Sequence, residues 1–381
     1  MLTIGIVGAV LHAEDSLAQK KKKKDAQTLA PAAQAPARPQ NGGNNNGPKP
    51  YKEVITAKAK TSEGLFKVHQ IEDKYFYEIP DSLWNRDMLM VIRIAKTADG
   101  IGYGGENTNN LMVRWEKNGD DVLLKVVSVN NYAADSLPIS MAVKASNLEP
   151  ILQKFAVKSR GTDSTGTVIE ATDLFSKDNQ ALGLQRNRRT QYRVTRLDNE
   201  RSYISHIHSY PINVEARYVL TYAASEPPSN SATGLITLEM NASMILLPKE
   251  PMKQRLADRR VGWFARSYVD YGADAQKATT RRYLDRWRLE VKPEDVEKFK
   301  RGELVEPVKP IVYYIDPATP KKWVPYLKQG VEDWQKAFEM AGFKNAIIAK
   351  EAPSKEEDPT WSPEDARYSV IRYFASDIQN A

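Results

Sequence analysis

The 381-residue chain contains no cysteine. That removes disulfides, thiolate metal sites of any spacing and a lipid anchor on an N-terminal cysteine, so stability rests on core size. Histidine is nearly as scarce. There are four, His12, His69, His206 and His208, and none follows His208. A nucleophilic triad with an imidazole base therefore cannot be built from the residues after His208, nor can a zinc site with nitrogen ligands. The apolar run at residues 2–11 (LTIGIVGAVL) falls short of the ~20 residues that a membrane-spanning helix needs, so no transmembrane segment is expected.

What is present reads first as an export signal. The short apolar run is followed by small-residue cleavage candidates at Ala13 and, better, at Ala18 after Ser16-Leu17, the pattern of a signal peptide over residues 1–18. No Lys or Arg precedes the run, which points to a start further upstream or an atypical peptide; a buried N-terminal strand is the alternative. Export without cysteine fits a bacterial periplasm, outer surface or extracellular space. The net charge of +7 comes largely from Lys20 to Lys24. Beside a Pro/Ala/Asn/Gly tract that reaches residue 50, this run reads as a solvated tail and linker over residues 19–50. Nucleic-acid binding is not expected, because no basic stripe interleaved with aromatics stands out in the folded part. With 41% hydrophobic and 27% charged residues, the remainder is ordinary for globular domains, and its length suggests two or three units.

Residues 51–303 are dominated by strand patterns. Residues 64–71 and 74–79 alternate apolar with polar around Glu72-Asp73, which predicts a hairpin. Residues 88–95 (MLMVIRIA) predict a central strand buried on both faces. Residues 111–115 and 122–129 flank Asn118-Gly119, a two-residue turn signal. Further strands are predicted at 151–157, 167–171, 191–196, 203–208, 214–222, 234–247, 261–271 and 282–291, with 234–247 and 261–271 long enough to cross a curved sheet. Short helices are expected at 139–145, 173–176 and 293–301. The fold class expected is α+β, mostly β: an antiparallel β-rich region of one or two domains, followed from residue 304 by an α/β segment.

In that last segment, Trp323, Leu327, Val331, Trp334, Phe338 and Ala341 recur at steps of three and four. They predict one amphipathic helix over 322–343, roughly 30 Å long, ended by Gly342. Strands are predicted at 311–315, 346–349 and 369–373. Periodicity alone makes this a core helix on a sheet. The wording of the segment adds more. PIVYYIDPATPKKWVPYLKQGVEDWQKAFEMAGFKNAIIAKEAP (residues 310–353) and EDPTWSPEDARYSVIRYFAS (residues 357–376) resemble the start of the catalytic domain of a secreted, metzincin-like zinc-dependent metalloprotease family best represented in Bacteroidota. LFKVHQIEDKYFYEIPDSLWNRDMLMVIRIAK (residues 65–96) resembles the uncharacterised domains that precede it, and SLAQKKKKK (residues 16–24) resembles that family's signal-peptide junction.

The resemblance implies a lobe of strand, helix, strand, strand and an edge strand, then a helix bearing H-E-x-x-H. Two histidines one turn apart hold zinc there, and the intervening Glu polarises its water for attack on a peptide or protein substrate. This chain matches the lobe through its third strand and has no H-E-x-x-H. No catalytic, cofactor or metal residue can be carried over, and residues 304–381 are expected to be an incomplete lobe, inactive alone and binding no zinc. The stripe of Trp323, Trp334 and Phe338 is expected to pack behind the absent site. The reading from another class is an exported, non-catalytic β-rich protein that binds protein or glycan at the cell surface.

Other clusters weigh less. His206 and His208 share a face if they lie on a strand, with Asp198 or Glu200 as possible third ligands, although such pairs are usually surface residues among aromatics such as Tyr203 and Tyr210. His69 stands alone. GIGYGG (residues 100–105) lacks the Lys and the helix of a phosphate loop and reads as a loop tip. Glu332-Asp333 lies on the polar side of the long helix, an ordinary solvated face.

Overall fold

Period-two alternation builds most of this molecule. The computed structural model describes residues 47–162, 165–229, 231–273 and 277–374, which fall in one compact unit. The signal peptide expected over 1–18 and all but the end of the linker over 19–50 lie outside them. Eighteen strands are described: β1 (Lys60–Ser62), β2 (Lys67–Ile71), β3 (Lys74–Pro80), β4 (Asp87–Lys96), β5 (Asn107–Asn118), β6 (Asp121–Val126), β7 (Asn131–Tyr132), β8 (Ile151–Arg160), β9 (Gly166–Glu170), β10 (Val194–Leu197), β11 (Tyr203–Ser209), β12 (Asn213–Ala224), β13 (Leu235–Leu246), β14 (Ala265–Asp270), β15 (Thr279–Leu284), β16 (Ile311–Ile315), β17 (Ile347–Glu351) and β18 (Ser369–Ile371). The helices are α1 (Tyr51–Val54), α2 (Ile139–Ser146), α3 (Thr172–Ser176), α4 (Arg186–Gln191), α5 (Val296–Lys300), α6 (Val324–Glu332) and α7 (Gln335–Met340).

Twelve strands make one antiparallel sheet in the order β1-β2-β3-β9-β8-β6-β5-β4-β13-β12-β10, with β11 on β12. The sheet curls until it is nearly a closed barrel. At the seam the Ser209 N–H donates to Ser62 Oγ (3.0 Å) and the Leu65 N–H to the Tyr210 carbonyl (2.8 Å). The inward side chains of β4 (Met88, Met90, Ile92, Ile94), β13 (Ile236, Leu238, Met240, Ala242, Met244) and β12 (Val214, Ala216, Tyr218, Leu220, Tyr222) are buried in a single core. Trp115 of β5 sits at its centre, against Phe66, Tyr77 and Phe155 with ring centroids 5.5–6.4 Å apart. Its indole N–H points at the Met244 sulfur, 3.3 Å away. Leu174 and Phe175 of α3 complete this core, Phe175 lying 5.3 Å from Tyr218.

Two smaller sheets stand apart. β7, β14 and β15 form one; the other is wholly parallel, in the order β17-β16-β18. α6 and α7 carry the chain from β16 to β17, as a parallel pair requires.

The architecture is thus mostly β and antiparallel, as expected, and the hairpin at 64–79 forms around Glu72, whose φ is +55°. Several elements differ. β4 is buried on one face and only partly on the other, because Leu89 and Arg93 face outward. The tip between β5 and β6 is Gly119-Asp120, since Asn118 already pairs with Asp121. Residues 186–191 are helical, so β10 begins only at Val194. β14 is half the predicted length and joins the small sheet, and 285–291 is not strand. The long helix over 322–343 is two: at Trp334 the amide bonds to Val331, one residue short of helical spacing, and α7 starts afresh. Gln335 then accepts from the Ala346 N–H at 3.1 Å, tying α7 to the start of β17. Gly342 ends α7 with φ +94°, a conformation only glycine adopts cheaply. Trp323 and Trp334 face solvent rather than packing behind a site; only Phe338 of the expected stripe reaches a core, with Val305 and Phe343.

Trp115→Ala should empty the centre of the barrel. We expect a loss of about 3–5 kcal/mol in unfolding free energy, the usual cost of deleting a buried aromatic, read by urea denaturation followed by circular dichroism.

Candidate functional site

The strands that line the core inside also build a polar wall outside. On β12 the outward positions are Asn213, Glu215 and Arg217; β13 adds Glu239, Asn241 and Ser243, and β4 adds Arg93. Such a face is normally wet. Here it is not: Asn213 is 0% exposed and Glu215 3%, with Asn241 and Ser243 also buried. Residues 362–374, running into and out of β18, lie over the wall as a strap.

The strap is held residue by residue. Asn213 Nδ2 donates to the Glu364 carbonyl and its Oδ1 accepts from the Ala366 N–H, both at 2.9 Å. The Arg217 guanidinium donates to Glu364 Oε1 through Nη2 (2.5 Å) and Nε (3.1 Å), and reaches Glu239 at 3.5 Å. Tyr210 donates to Ser362 Oγ at 2.9 Å. Further on, Arg372 donates to the buried carboxylate of Asp316, 2.6 Å away at the end of β16. Phe374 then lies flat on Gly105, where an added Cβ would come within 2.6 Å of the ring. The GIGYGG loop thus has a packing role against the strap, with Gly105 at φ +95°.

Glu215 is the centre of the wall. Its Oε1 accepts from Asn213 Nδ2 (2.6 Å) and from Ser243 Oγ, and its Oε2 from Asn241 Nδ2 (2.9 Å). Those three donors are neutral. Burial pushes its pKa up to about 7, against the pull of the three hydrogen bonds, and the nearby Glu364 charge pushes the same way. Burial likewise draws the Arg93 guanidinium below its ordinary range, with Glu215 opposing and Arg372 and Arg217 reinforcing that fall. The arrangement is a buried carboxyl beside guanidinium groups, covered by residues 362–374.

The histidine pair falls beside this wall. His206 and His208 lie on β11 opposite Arg217 and Glu215. The acidic neighbour of His208 is Glu364 rather than Asp198 or Glu200. Asp198 instead caps its own turn, accepting from the Glu200 and Arg201 N–H groups, and pairs with Arg201. His208 Nδ1 meets Ser62 Oγ at 3.1 Å across the seam, and its ring packs on Tyr210. His69 does not stand alone: it lies buried between Thr61 Oγ1 (2.8 Å) and Glu78 Oε2 (3.1 Å), and Tyr51 of α1 donates to the same carboxylate. Among the described residues no three His, Asp or Glu side chains are grouped to hold a metal. Nor is any described helix long and apolar enough to cross a membrane.

Two features escaped the sequence reading. Glu215 and its partners look like the solvated face of an alternating strand, and the cover lies about 150 residues further along the chain. Among the described residues of 248–290 only Asp270 is buried, and Phe264 (88% exposed), Trp263 and Trp287 stand in solvent.

A nearly closed antiparallel barrel strapped to a parallel α/β unit is the class that fold and wall define. Within it, one domain of unknown function (DUF5118) matches residues 48–97 and a second (DUF5117) matches residues 105–292. No curated protein and no solved structure matches the chain. The boundary between the two matches falls inside the barrel, between β4 and β5, which are hydrogen-bonded neighbours.

Because the folded protein holds the Glu215 proton more tightly than the unfolded chain does, stability falls as pH rises from about 4.5 through 7. At ~1.4 kcal/mol per unit, a pKa raised from 4.5 to about 7 corresponds to roughly 3 kcal/mol. Urea melts at pH 4 and pH 8 should therefore show Glu215→Gln more stable, relative to wild type, at pH 8 than at pH 4. An unchanged difference would assign Glu215 an ordinary acidity.

Proposed function

We propose that this chain is the N-terminal portion of an exported zinc-dependent metalloendopeptidase. The observation that carries the reading is the unit from β16 to β18. A central parallel strand, a helical crossover, then one strand on each side follow the order that the sequence resemblance leads one to expect for the first lobe of such a protease. The matches to domains of unknown function upstream are compatible with the same reading. The N-terminal apolar run would direct export to the periplasm, outer surface or medium.

Zinc does not fit the residues at hand: the sequence has no H-E-x-x-H, and no described cluster offers three ligands. The metal and its helix are assigned to polypeptide that this chain does not carry, and no catalytic step is given to any of its residues. What these residues supply is a lobe scaffold and the barrel that grips it. Trp334 (62% exposed), Trp323, Tyr326 and Met340 are exposed along α6 and α7, apolar surface that the remainder of such a lobe would bury.

Two measurements test this. Reading the coding DNA past codon 381 should reveal H-E-x-x-H in frame or after a frameshift; a stop followed by unrelated sequence would count against the proposal. The purified chain should lack caseinolytic activity, and stoichiometric zinc with chelator-sensitive cleavage would overturn the division of labour. We also expect amides of α6, α7 and β17 to exchange faster than those of β12 and β13 in native-state hydrogen exchange; equal protection would argue for a self-sufficient unit.

The uncovered aromatics at Trp263, Phe264 and Trp287 favour a second reading, a non-catalytic surface protein that binds protein or glycan. The same downstream DNA separates the two.

A further inference from the structure

We propose that the wall and the strap form an acid-closed latch, in which protonated Glu215 keeps residues 362–374 seated on the barrel and its ionisation releases them.

The geometry supplies both halves of such a device. Asn213 is the shared element: the same side-chain amide donates to Glu215 Oε1 and to the Glu364 carbonyl, while its oxygen takes the Ala366 N–H. Whatever disturbs Glu215 is therefore felt by the strap through one side chain. The strap in turn keeps Glu215 out of water. When the carboxyl loses its proton, a charge is stranded beneath that cover with only neutral donors in contact. Such a charge is relieved either by a counter-ion or by water.

The groups facing Glu215 determine which. Arg217 on β12 is engaged by Glu364 and Glu239. Arg372 is engaged by Asp316. Arg93 on β4 is partly buried and has no ion pair among the described residues. Glu364 on the strap and Glu239 on β13 are like charges. His206 and His208 on β11 and the hydroxyls of Tyr77 and Tyr210 complete the surroundings. Every counter-ion except Arg93 is already committed, and Glu364 repels the new charge from the strap itself. Lifting the strap admits water to Glu215 and separates it from Glu364. It also uncovers Arg93 and parts Phe374 from Gly105. The strap includes β18, an outer strand of the parallel sheet, so the latch controls how firmly the α/β unit is moored to the barrel.

Linkage gives the size of the effect. With a seated pKa of about 7 and a released one near the ordinary 4.5, the seated population should fall about tenfold, relative to the released one, between pH 6 and pH 8. Amide hydrogen exchange of the full chain reads this directly. After correction for the intrinsic pH dependence of exchange, protection at the Ala366 amide should drop about tenfold from pH 6 to pH 8, while protection within β12 and β13 stays constant. In Glu215→Gln the drop should vanish. A drop retained in Glu215→Gln, or protection in wild type that is flat with pH, would overturn the latch. Should Glu215→Gln not fold, Glu364→Gln provides the second arm. It keeps the carboxyl of Glu215 and removes the like charge that helps to raise its pKa, so the fall in Ala366 protection between pH 6 and pH 8 should be smaller than in wild type; an equal or larger fall would overturn the latch equally.

Discussion

The constraint on which the structure depends is the two-residue period of β4, β13 and β12, paired along most of their lengths. Once Met240, Ala242 and Met244 commit to the interior, Glu239, Asn241 and Ser243 have no choice but to face out, and their neighbours on β12 and β4 follow by register. A one-residue slip in any of these strands would send a carboxylate into the core. Barrel and polar wall are therefore two sides of one pattern. The strap is the consequence: a face this rich in hydrogen-bonding groups can be buried only by backbone and side chains that answer each group, as Asn213, Arg217 and Tyr210 do for residues 362–366.

Local signals in the sequence were read where local physics decides. The turn at Glu72-Asp73, the parallel strand at 311–315 and the glycine that ends α7 all depend on neighbours in the chain, and each lies where the pattern puts it. Elements decided by distant partners were not legible. Residues 261–271 alternate well enough for a long strand, but only six residues find a partner. The stripe from Trp323 to Ala341 has helical spacing throughout, yet the helix tightens at Trp334, and the large aromatics turn out to solvent. The wall was invisible for the same reason. Glu215 on an alternating strand is unremarkable until residues from the far end of the chain close over it.

The functional reading inherits that asymmetry. The proposal of a zinc protease lobe rests on a resemblance in the wording of residues 310–376, and the chemistry of such an enzyme would need residues this chain does not contain. What the chain itself supplies is a nearly closed barrel, a strap held to its outer wall and a buried carboxyl.

The place of β4 has a consequence for handling this protein in pieces. It is hydrogen-bonded to β5 on one side and β13 on the other, whereas the two matched family segments part just after it. A recombinant fragment that starts near residue 105 would lose the strand bridging its two longest neighbours. The bared rims of β5 and β13 would then invite intermolecular pairing, so inclusion bodies from such a fragment would reflect where it was cut, not an unstable native protein.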